Sequence, residues 1–116
     1  MTGIYPVGHI HLVPGDAFAV LAEPTRRRIL DELATSERSV GELVGALGMS
    51  QPTVSKHLKV LRENGFVSCR TAAQQRIYRI DVEPLRAVDG WLVPYRRLWQ
   101  HHLDALERHL ENQERS

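Results

Sequence analysis

The sequence is poor in several features that would point to particular protein classes. It has one cysteine, Cys69, no long uninterrupted apolar run, and almost no net charge, with 15 Lys and Arg against 14 Asp and Glu. A single cysteine excludes an internal disulfide framework and a cysteine-cluster zinc site, and it fits a reducing cytosol. No basic segment precedes an apolar stretch near the start, so we expect no signal peptide, no membrane partner and a cytoplasmic location. What remains is the composition of one soluble domain spanning residues 1–116, 42% hydrophobic and too short for a multidomain enzyme.

The first part of the chain divides into an arm and two helices. Residues 1–15 hold three glycines and two prolines without a sustained apolar period, which predicts an N-terminal arm. Helical spacing begins at Asp16, and this short helix should end before Pro24 because a residue preceding proline is pushed out of the helical conformation. A second helix is then expected, with Glu23 as its cap and Pro24 in its first turn.

The central segment, 39–64, has the proportions of a helix-turn-helix. Ser39 and Glu42 have the spacing of a capping box that begins a helix. Gly48 is expected to end it, since glycine adopts the left-handed conformation at little cost. Ser50 then caps a second helix after a three-residue turn, and such a helix can enter a DNA major groove.

The exposed face of that second helix carries residue types suited to DNA. Glutamine pairs with adenine, lysine with guanine, and serine or threonine with either base, while lysine and arginine also suit phosphates. Both lysines of the chain lie on this helix. The predicted exposed residues are Gln51, Thr53, Ser55, Lys56, Lys59 and Arg62.

The next segment, 66–81, is predicted to form a β-hairpin. Two short β-branched or aromatic runs are joined by residues 72–75, and two strands alone are marginal, so the hairpin must lean on the helices. Residues 50–79 carry a formal charge of +5 and the rest of the chain −4. The near-neutral total therefore conceals a basic segment.

The C-terminal segment, 83–113, returns to helical spacing with an almost heptad-like apolar pattern. Gly90 and Pro94 are predicted to divide it into two helices. The apolar side chains can either close over the domain's own core or form a dimer seam with help from residues 12–21, and their number favours the seam. The predicted seam residues are Leu85, Val88, Trp91, Leu92, Tyr95, Trp99, Leu103 and Leu106.

Taken together, four motifs resemble the ArsR-type winged-helix transcriptional regulators of bacteria, over roughly residues 16–110. The motifs are Glu23-Pro24-Thr25-Arg26, the Ser50–Leu61 helix, Gly65-Phe66-Val67 and Arg76-x-Tyr78. The resemblance implies a mainly α fold with a small β-hairpin, dimerising through its N- and C-terminal helices. It also implies a homodimer that binds an operator palindrome in double-stranded DNA, with the hairpin as a wing.

The same resemblance assigns residue roles. It places base contacts at Gln51, Ser55 and Lys56, with Thr53 and His57 as neighbours; a packing role for His57 is the alternative. The wing tip lacks the glycine and charge common in the family, which favours phosphate contact by Arg70 or Arg76 over insertion into the minor groove.

A metal, a cofactor and catalysis are not expected. Many relatives sense metals through a Cys-x-Cys pair before the recognition helix, and residues 42–47 contain no thiol. The chain also shows no phosphate-binding glycine loop and no nucleophile with its base. The interpretation is a metal-independent repressor, with two alternatives: a winged-helix protein-interaction module, or a zinc-responsive repressor. In the zinc-responsive alternative, the ligands would come from His101, His102, Asp104, His109 and Glu111. Whether an effector of unknown chemistry also controls the protein stays open.

Overall fold

The computed structural model describes residues 14–115, which form five helices and three short strands. The elements are α1 (Pro14–Leu21), α2 (Pro24–Leu33), β1 (Arg38–Ser39), α3 (Val40–Leu47), α4 (Gln51–Glu63), β2 (Val67–Ala72), β3 (Gln75–Ile80) and α5 (Glu83–Arg115). The predicted fold class, mainly helical with a small antiparallel sheet, is confirmed. Most of the predicted arm lies outside the described residues, but its last two positions belong to α1.

The predicted helix starts are found where the capping residues indicated. The Glu23 carboxylate accepts a hydrogen bond from the Thr25 backbone N–H at 3.2 Å, and this bond holds the pKa of Glu23 below its ordinary value. Ser39 and Glu42 form the reciprocal capping box, at 3.1 Å and 2.9 Å. The backbone N–H of Ser39 lowers the pKa of Glu42 in the same way. These bonds satisfy N–H groups that a helix start would otherwise leave unpaired.

Gly48 ends α3 in the left-handed conformation, with φ +65°, and its N–H bonds to the Val44 carbonyl at 3.0 Å. A Cβ at this position would meet no atom within 4 Å, so the constraint is conformational rather than steric crowding. This cap allows the chain to turn directly into α4.

Two glycine substitutions test the turn. Gly48→Ala should lower the free energy of unfolding by ~1–2 kcal/mol, the cost of a left-handed residue with a Cβ. Gly45→Ala is the matched control, because it lies inside α3 and also has open space around its Cβ. This change should instead stabilise by ~0.5–1 kcal/mol. Urea denaturation at one fixed protein concentration measures both, and equal effects of the same sign would contradict the conformational account.

The sheet has the order β1-β3-β2 and is antiparallel throughout. The predicted hairpin is confirmed, with a tighter connection than expected. Ala73 and Gln74 form a two-residue loop, and both have positive φ, which matches the twist of the flanking strands. The two-residue β1 was not predicted, because a strand of this length shows no alternation of apolar and polar residues.

The core lies where the helix-turn-helix meets the hairpin. Phe66 is fully buried; its N–H bonds to the Leu61 carbonyl, and its carbonyl accepts the Asp81 N–H, both at 2.8 Å. Phe66 therefore ties the end of α4 to both ends of the hairpin. The other large, fully buried side chains are Ile29, Leu43, Val54, Leu58 and Leu61.

The predicted division of the C-terminal segment is wrong, because α5 is one helix of 33 residues. Proline at position 94 cannot donate to the Gly90 carbonyl four residues earlier. Both residues are exposed, so water can satisfy that carbonyl, and the apolar spacing on either side stays in phase. The described residues measure 69 × 31 × 24 Å with a radius of gyration of 19.3 Å, against about 13 Å for a compact domain of this length. The helix thus projects from the body. None of the described helices is both long and apolar enough to cross a membrane.

Candidate nucleic-acid interface

The orientation of α4 follows from its buried face. Val54, Leu58 and Leu61 are completely buried, which fixes the opposite face outward. The Ser50 side chain caps the helix, accepting from the Thr53 N–H at 3.3 Å and donating to the Thr53 hydroxyl at 2.9 Å. The predicted contact residue Thr53 is therefore exposed but also part of the cap.

A cleft of about 900 Å³ lies between α4 and the tip of the hairpin, with the start of α3 completing it. We refer to it as the groove. It brings together five predicted DNA-contact residues from two elements: Gln51, Ser55, Lys59 and Arg62 of α4, and Arg76 of β3. Its other lining residues are Ser39, Val40, Gly41, Glu63, Gln74, Gln75 and Tyr78.

The groove is electropositive. Three cationic side chains line it against the single carboxylate of Glu63. The Lys59 ammonium lies 4.0 Å from that carboxylate, but both side chains are mostly exposed, so the pair is weak and leaves the lysine available to an anion. Polar hydrogen-bonding groups and cations therefore face the same space, as binding to bases and phosphates together requires.

Four predicted contact residues lie outside the groove lining: Thr53, which belongs to the cap of α4, and Lys56, His57 and Arg70. Lys56 is exposed on the outer face of α4, while His57 is half-buried on the side facing α2. The His57 Nδ1 atom is buried and has no hydrogen-bond partner among the described residues, and Glu23, the cap of α2, lies close enough to interact electrostatically. This position matches the packing alternative for His57 better than a contact with a base.

Arg70, the fourth, has a partner in the protein. Its guanidinium pairs with the Glu37 carboxylate, on the connection between α2 and β1, and the Arg70 side chain is 23% exposed. The ion pair ties the base of the hairpin to the helical body. Phosphate contact by Arg70 stays a prediction, and such a contact would have to compete with this carboxylate.

Paired substitutions distinguish a positioning role of Arg70 from phosphate contact. Glu37→Gln and Arg70→Gln should each weaken DNA binding ~2- to 5-fold, the value of one partly exposed ion pair, and the double variant should be no worse. The dependence of affinity on salt should stay the same, because no phosphate contact is lost. A decrease of about 1 per copy in that slope for Arg70→Gln alone would instead establish a phosphate contact.

Tyr78 is a groove residue that the predicted contact list omitted. It is buried beside its cross-strand neighbour Cys69, which is also buried. Burial is the main cause that raises the pKa of the Tyr78 hydroxyl above 10; the neighbouring thiol adds to the effect and Arg76 opposes it. The Tyr78 phenol therefore stays neutral and can hydrogen-bond to the Arg76 side chain. The Arg76-x-Tyr78 motif was the signal in the sequence that could have identified Tyr78 as a residue of this site.

The predicted seam residues fall into two groups. Leu85 and Val88 are partly buried against the domain's own core, whereas the rest of the set is exposed along α5. Phe18 of α1 contacts Trp91 edge-on, with ring centroids 5.0 Å apart, and Trp91 stacks towards Tyr95 at 4.7 Å. Two further exposed apolar side chains, Leu98 and Leu110, extend the face beyond the predicted set.

The candidate zinc ligands are not assembled within the described part of one chain. No group of three His, Cys, Asp or Glu residues there is arranged to hold a metal ion. Asp104 accepts a hydrogen bond from Gln100 at 3.0 Å, and the His109 ring nitrogen lies 3.1 Å from the Gln113 amide.

A helix-turn-helix, a β-hairpin packed against it and a basic groove between them define a winged helix-turn-helix protein of the DNA-binding class. Residues 23–68 match the model of the family described as bacterial regulatory protein, arsR family. The chain is 43% identical over 75 residues to the HTH-type transcriptional regulator Rv2034 of Mycobacterium tuberculosis, an alignment covering 65% of this chain and 70% of that protein. The chain belongs to the arsR family of transcriptional regulators, and its relatives are DNA-binding regulators rather than enzymes.

Solved structures agree with this assignment. The crystal structure of the ArsR family transcriptional regulator RHA00566 has a TM-score of 0.65 at 32% identity, covering 74% of this chain and 89% of that one. The transcriptional repressor BigR from Xylella fastidiosa has a TM-score of 0.58 at 33% identity, covering 70% and 84%. The chain spans about half the length of several other curated relatives, repressors among them.

Proposed function

We propose that this protein is a repressor that binds an operator palindrome as a homodimer in the cytoplasm, without a metal. The observation that carries the proposal is the groove, which places Gln51 and Ser55 beside Lys59, Arg62 and Arg76. A helix that presents amides, hydroxyls and cations on one exposed face suits a DNA major groove.

Each groove residue has a distinct proposed role. Gln51 and Ser55 contact base edges, and so does Lys56 on the adjoining outer face of α4. Thr53 lies beside them in the first turn of the helix. Lys59, Arg62 and Arg76 contact phosphates, which fixes the register of the protein on the duplex without selecting a sequence. Because the rest of the chain is net acidic, attraction to random DNA is modest, and base contacts carry more of the discrimination.

The homodimer is supported by the exposed face of α5. Trp99 and Leu106 are 66% and 53% exposed, and a row of such large side chains is unusual on a monomeric protein. Two recognition helices held rigidly can also occupy half-sites about 34 Å apart, the spacing of successive major grooves on one side of the duplex.

Salt dependence of DNA binding tests the proposal. Three cations in each of two copies predict that log K falls against log[salt] with a slope of about −5. Fluorescence anisotropy on a selected operator measures this slope. Arg97→Ala is the control, because its arginine is exposed on α5 away from the groove and its loss should leave the slope unchanged. A slope near zero for the wild type would contradict DNA binding through the groove and favour a protein partner.

A further inference from the structure

The chain carries its two lysines on α4, at Lys56 and Lys59, whereas the other 13 of its 15 Lys and Arg residues are arginines. A lysine ammonium becomes a nucleophile once it releases a proton, and lysine is the side chain that acylation modifies. An arginine guanidinium keeps its charge under the same conditions. Acylation of side-chain amines in this protein is therefore confined to the helix that carries most of the predicted DNA contacts.

The two lysines have different surroundings. Lys59 lines the groove together with Arg62 and Arg76, and its side chain is 77% exposed. Lys56 is also exposed but lies outside the groove lining. Around the axis of an α-helix, Lys59 is about 60° from Arg62, and Lys56 is about 120° from it. A molecule held by the arginines of the groove can therefore reach Lys59 more easily than Lys56.

The groove suits a small molecule that carries phosphate. Arg62 and Arg76 come from different elements, α4 and β3, and line one cleft. Guanidinium groups bind phosphate oxygens through charge-assisted, often paired hydrogen bonds. The volume of about 900 Å³ also lies in the range of small-molecule sites. When no DNA is bound, the groove can thus hold a phosphate group beside the amine of Lys59.

We propose that Lys59 is acylated by an acyl donor that carries phosphate, and that Arg62 and Arg76 hold the phosphate while the amine attacks. With an acyl phosphate, a bond forms between Lys59 Nζ and the acyl carbon, and the bond from that carbon to the phosphate oxygen breaks. The ammonium gives up two protons; one leaves with the phosphate as hydrogenphosphate and the other passes to water. With an acyl thioester of coenzyme A, the carbon–sulfur bond breaks instead and the thiolate takes the first proton. The product is a neutral amide on Lys59.

Acylation lowers the charge of the groove. The lining holds three cations and the Glu63 carboxylate, so its formal charge falls from +2 to +1 when Lys59 becomes an amide. Glu63, 4.0 Å from the Lys59 ammonium, also loses this cationic partner and is left to repel DNA phosphates. The modified protein should therefore bind DNA more weakly, and this consequence rests on the proposed function. The acylation step itself does not depend on it.

Rates of acylation with charged and neutral donors test the step. The full-length protein is treated separately with acetyl phosphate, acetyl-coenzyme A and the neutral reagent N-hydroxysuccinimide acetate, and mass spectrometry of its peptides measures acetylation at each lysine. With a phosphate donor, Lys59 should react about 10-fold faster than Lys56, the value of one charge-assisted hydrogen bond, whereas the neutral reagent should show little preference. Arg62→Gln/Arg76→Gln should abolish the preference. Arg86→Gln/Arg97→Gln, which removes two exposed arginines of α5, is the matched control and should retain it.

The outcomes of this experiment decide the site and the donor. A preference for Lys59 with only one of the two phosphate donors supports the proposal and identifies the source of the acyl group. An equal ratio of the Lys59 and Lys56 rates with all three reagents overturns the proposal. A preference that survives Arg62→Gln/Arg76→Gln overturns it as well, because the arginines then do not hold the donor.

Fluorescence anisotropy before and after treatment with acetyl phosphate measures the consequence for DNA binding, with each protein compared with itself. The slope of log K against log[salt] should become about 2 less negative in the wild type, one lost phosphate contact in each of two copies. Lys59→Arg has a cation that cannot be acylated, so treatment should leave its slope in place, while Lys56→Arg should respond as the wild type does. An equal response of Lys59→Arg would overturn the role of Lys59 in regulation. A slope near zero in the untreated wild type would overturn the proposed function instead, and the acylation rates would still decide the modification site.

Discussion

Leu103→Glu/Leu106→Glu is expected to convert the protein to a monomer and to lower its affinity for operator DNA at least 100-fold. The two leucines are 46% and 53% exposed in the single chain, so the change should not disturb its folding. In a dimer through α5, four carboxylates would be buried without partners, and each costs several kcal/mol to desolvate. A monomer also loses the gain from binding two linked half-sites. Sedimentation equilibrium and anisotropy measure the two losses.

The control for this prediction adds the same two charges on the opposite side of the helix. His101→Glu/Asn112→Glu changes two exposed positions on the side of α5 opposite Trp99 and Leu103. This variant should stay dimeric and bind DNA with nearly unchanged affinity. If Leu103→Glu/Leu106→Glu also sediments as a dimer, the seam does not lie on this face.

Local signals in the sequence were sufficient for the helix-turn-helix. Ser39 with Glu42, Gly48, and Ser50 each have a side-chain or backbone reason to begin or end a helix at their own position. Such signals depend on residues three or four positions away, which a sequence displays directly. The structure accordingly places these caps where they were predicted.

Features that depend on distant residues were not predictable in this way. The strand β1 exists because Arg38 and Ser39 lie beside Tyr78 and Ile77, which are 40 and 38 positions away in the chain. The pairing of Arg70 with Glu37 has the same origin, and nothing in the sequence near Arg70 indicates that carboxylate. Tertiary contacts of this kind decide whether a basic residue faces DNA or the protein.

The continuity of α5 shows a different limit on predicting structure from sequence. Proline inside a helix usually signals a break, and that expectation was wrong because the affected carbonyl is exposed and the apolar spacing continues in phase past residue 94. The error affects function, since one continuous helix can present its whole apolar face to a second copy. Two separate helices with a break between them could not present a single continuous face.

Removing the three cations of the groove should have the second large effect. Lys59→Ala/Arg62→Ala/Arg76→Ala is expected to lower affinity about 100-fold or more at physiological salt, equally for operator and random DNA, because phosphates do not carry the sequence. The slope of log K against log[salt] should fall towards zero. Arg86→Ala/Arg97→Ala/Arg108→Ala, which removes three arginines from α5, should leave both affinity and slope nearly unchanged.

Gln51→Ala and Ser55→Ala complete the comparison from the same groove. Each should cost ~1–3 kcal/mol on the operator alone and leave binding to random DNA and its salt dependence intact. The groove therefore predicts two independent losses, one of overall affinity and one of discrimination, from side chains that line the same cleft. If the triple variant lost discrimination instead, or Gln51→Ala weakened binding to every sequence alike, the division between phosphate and base contacts would be wrong. In that case α4 would lie in the major groove in a different orientation, with its cations against the bases.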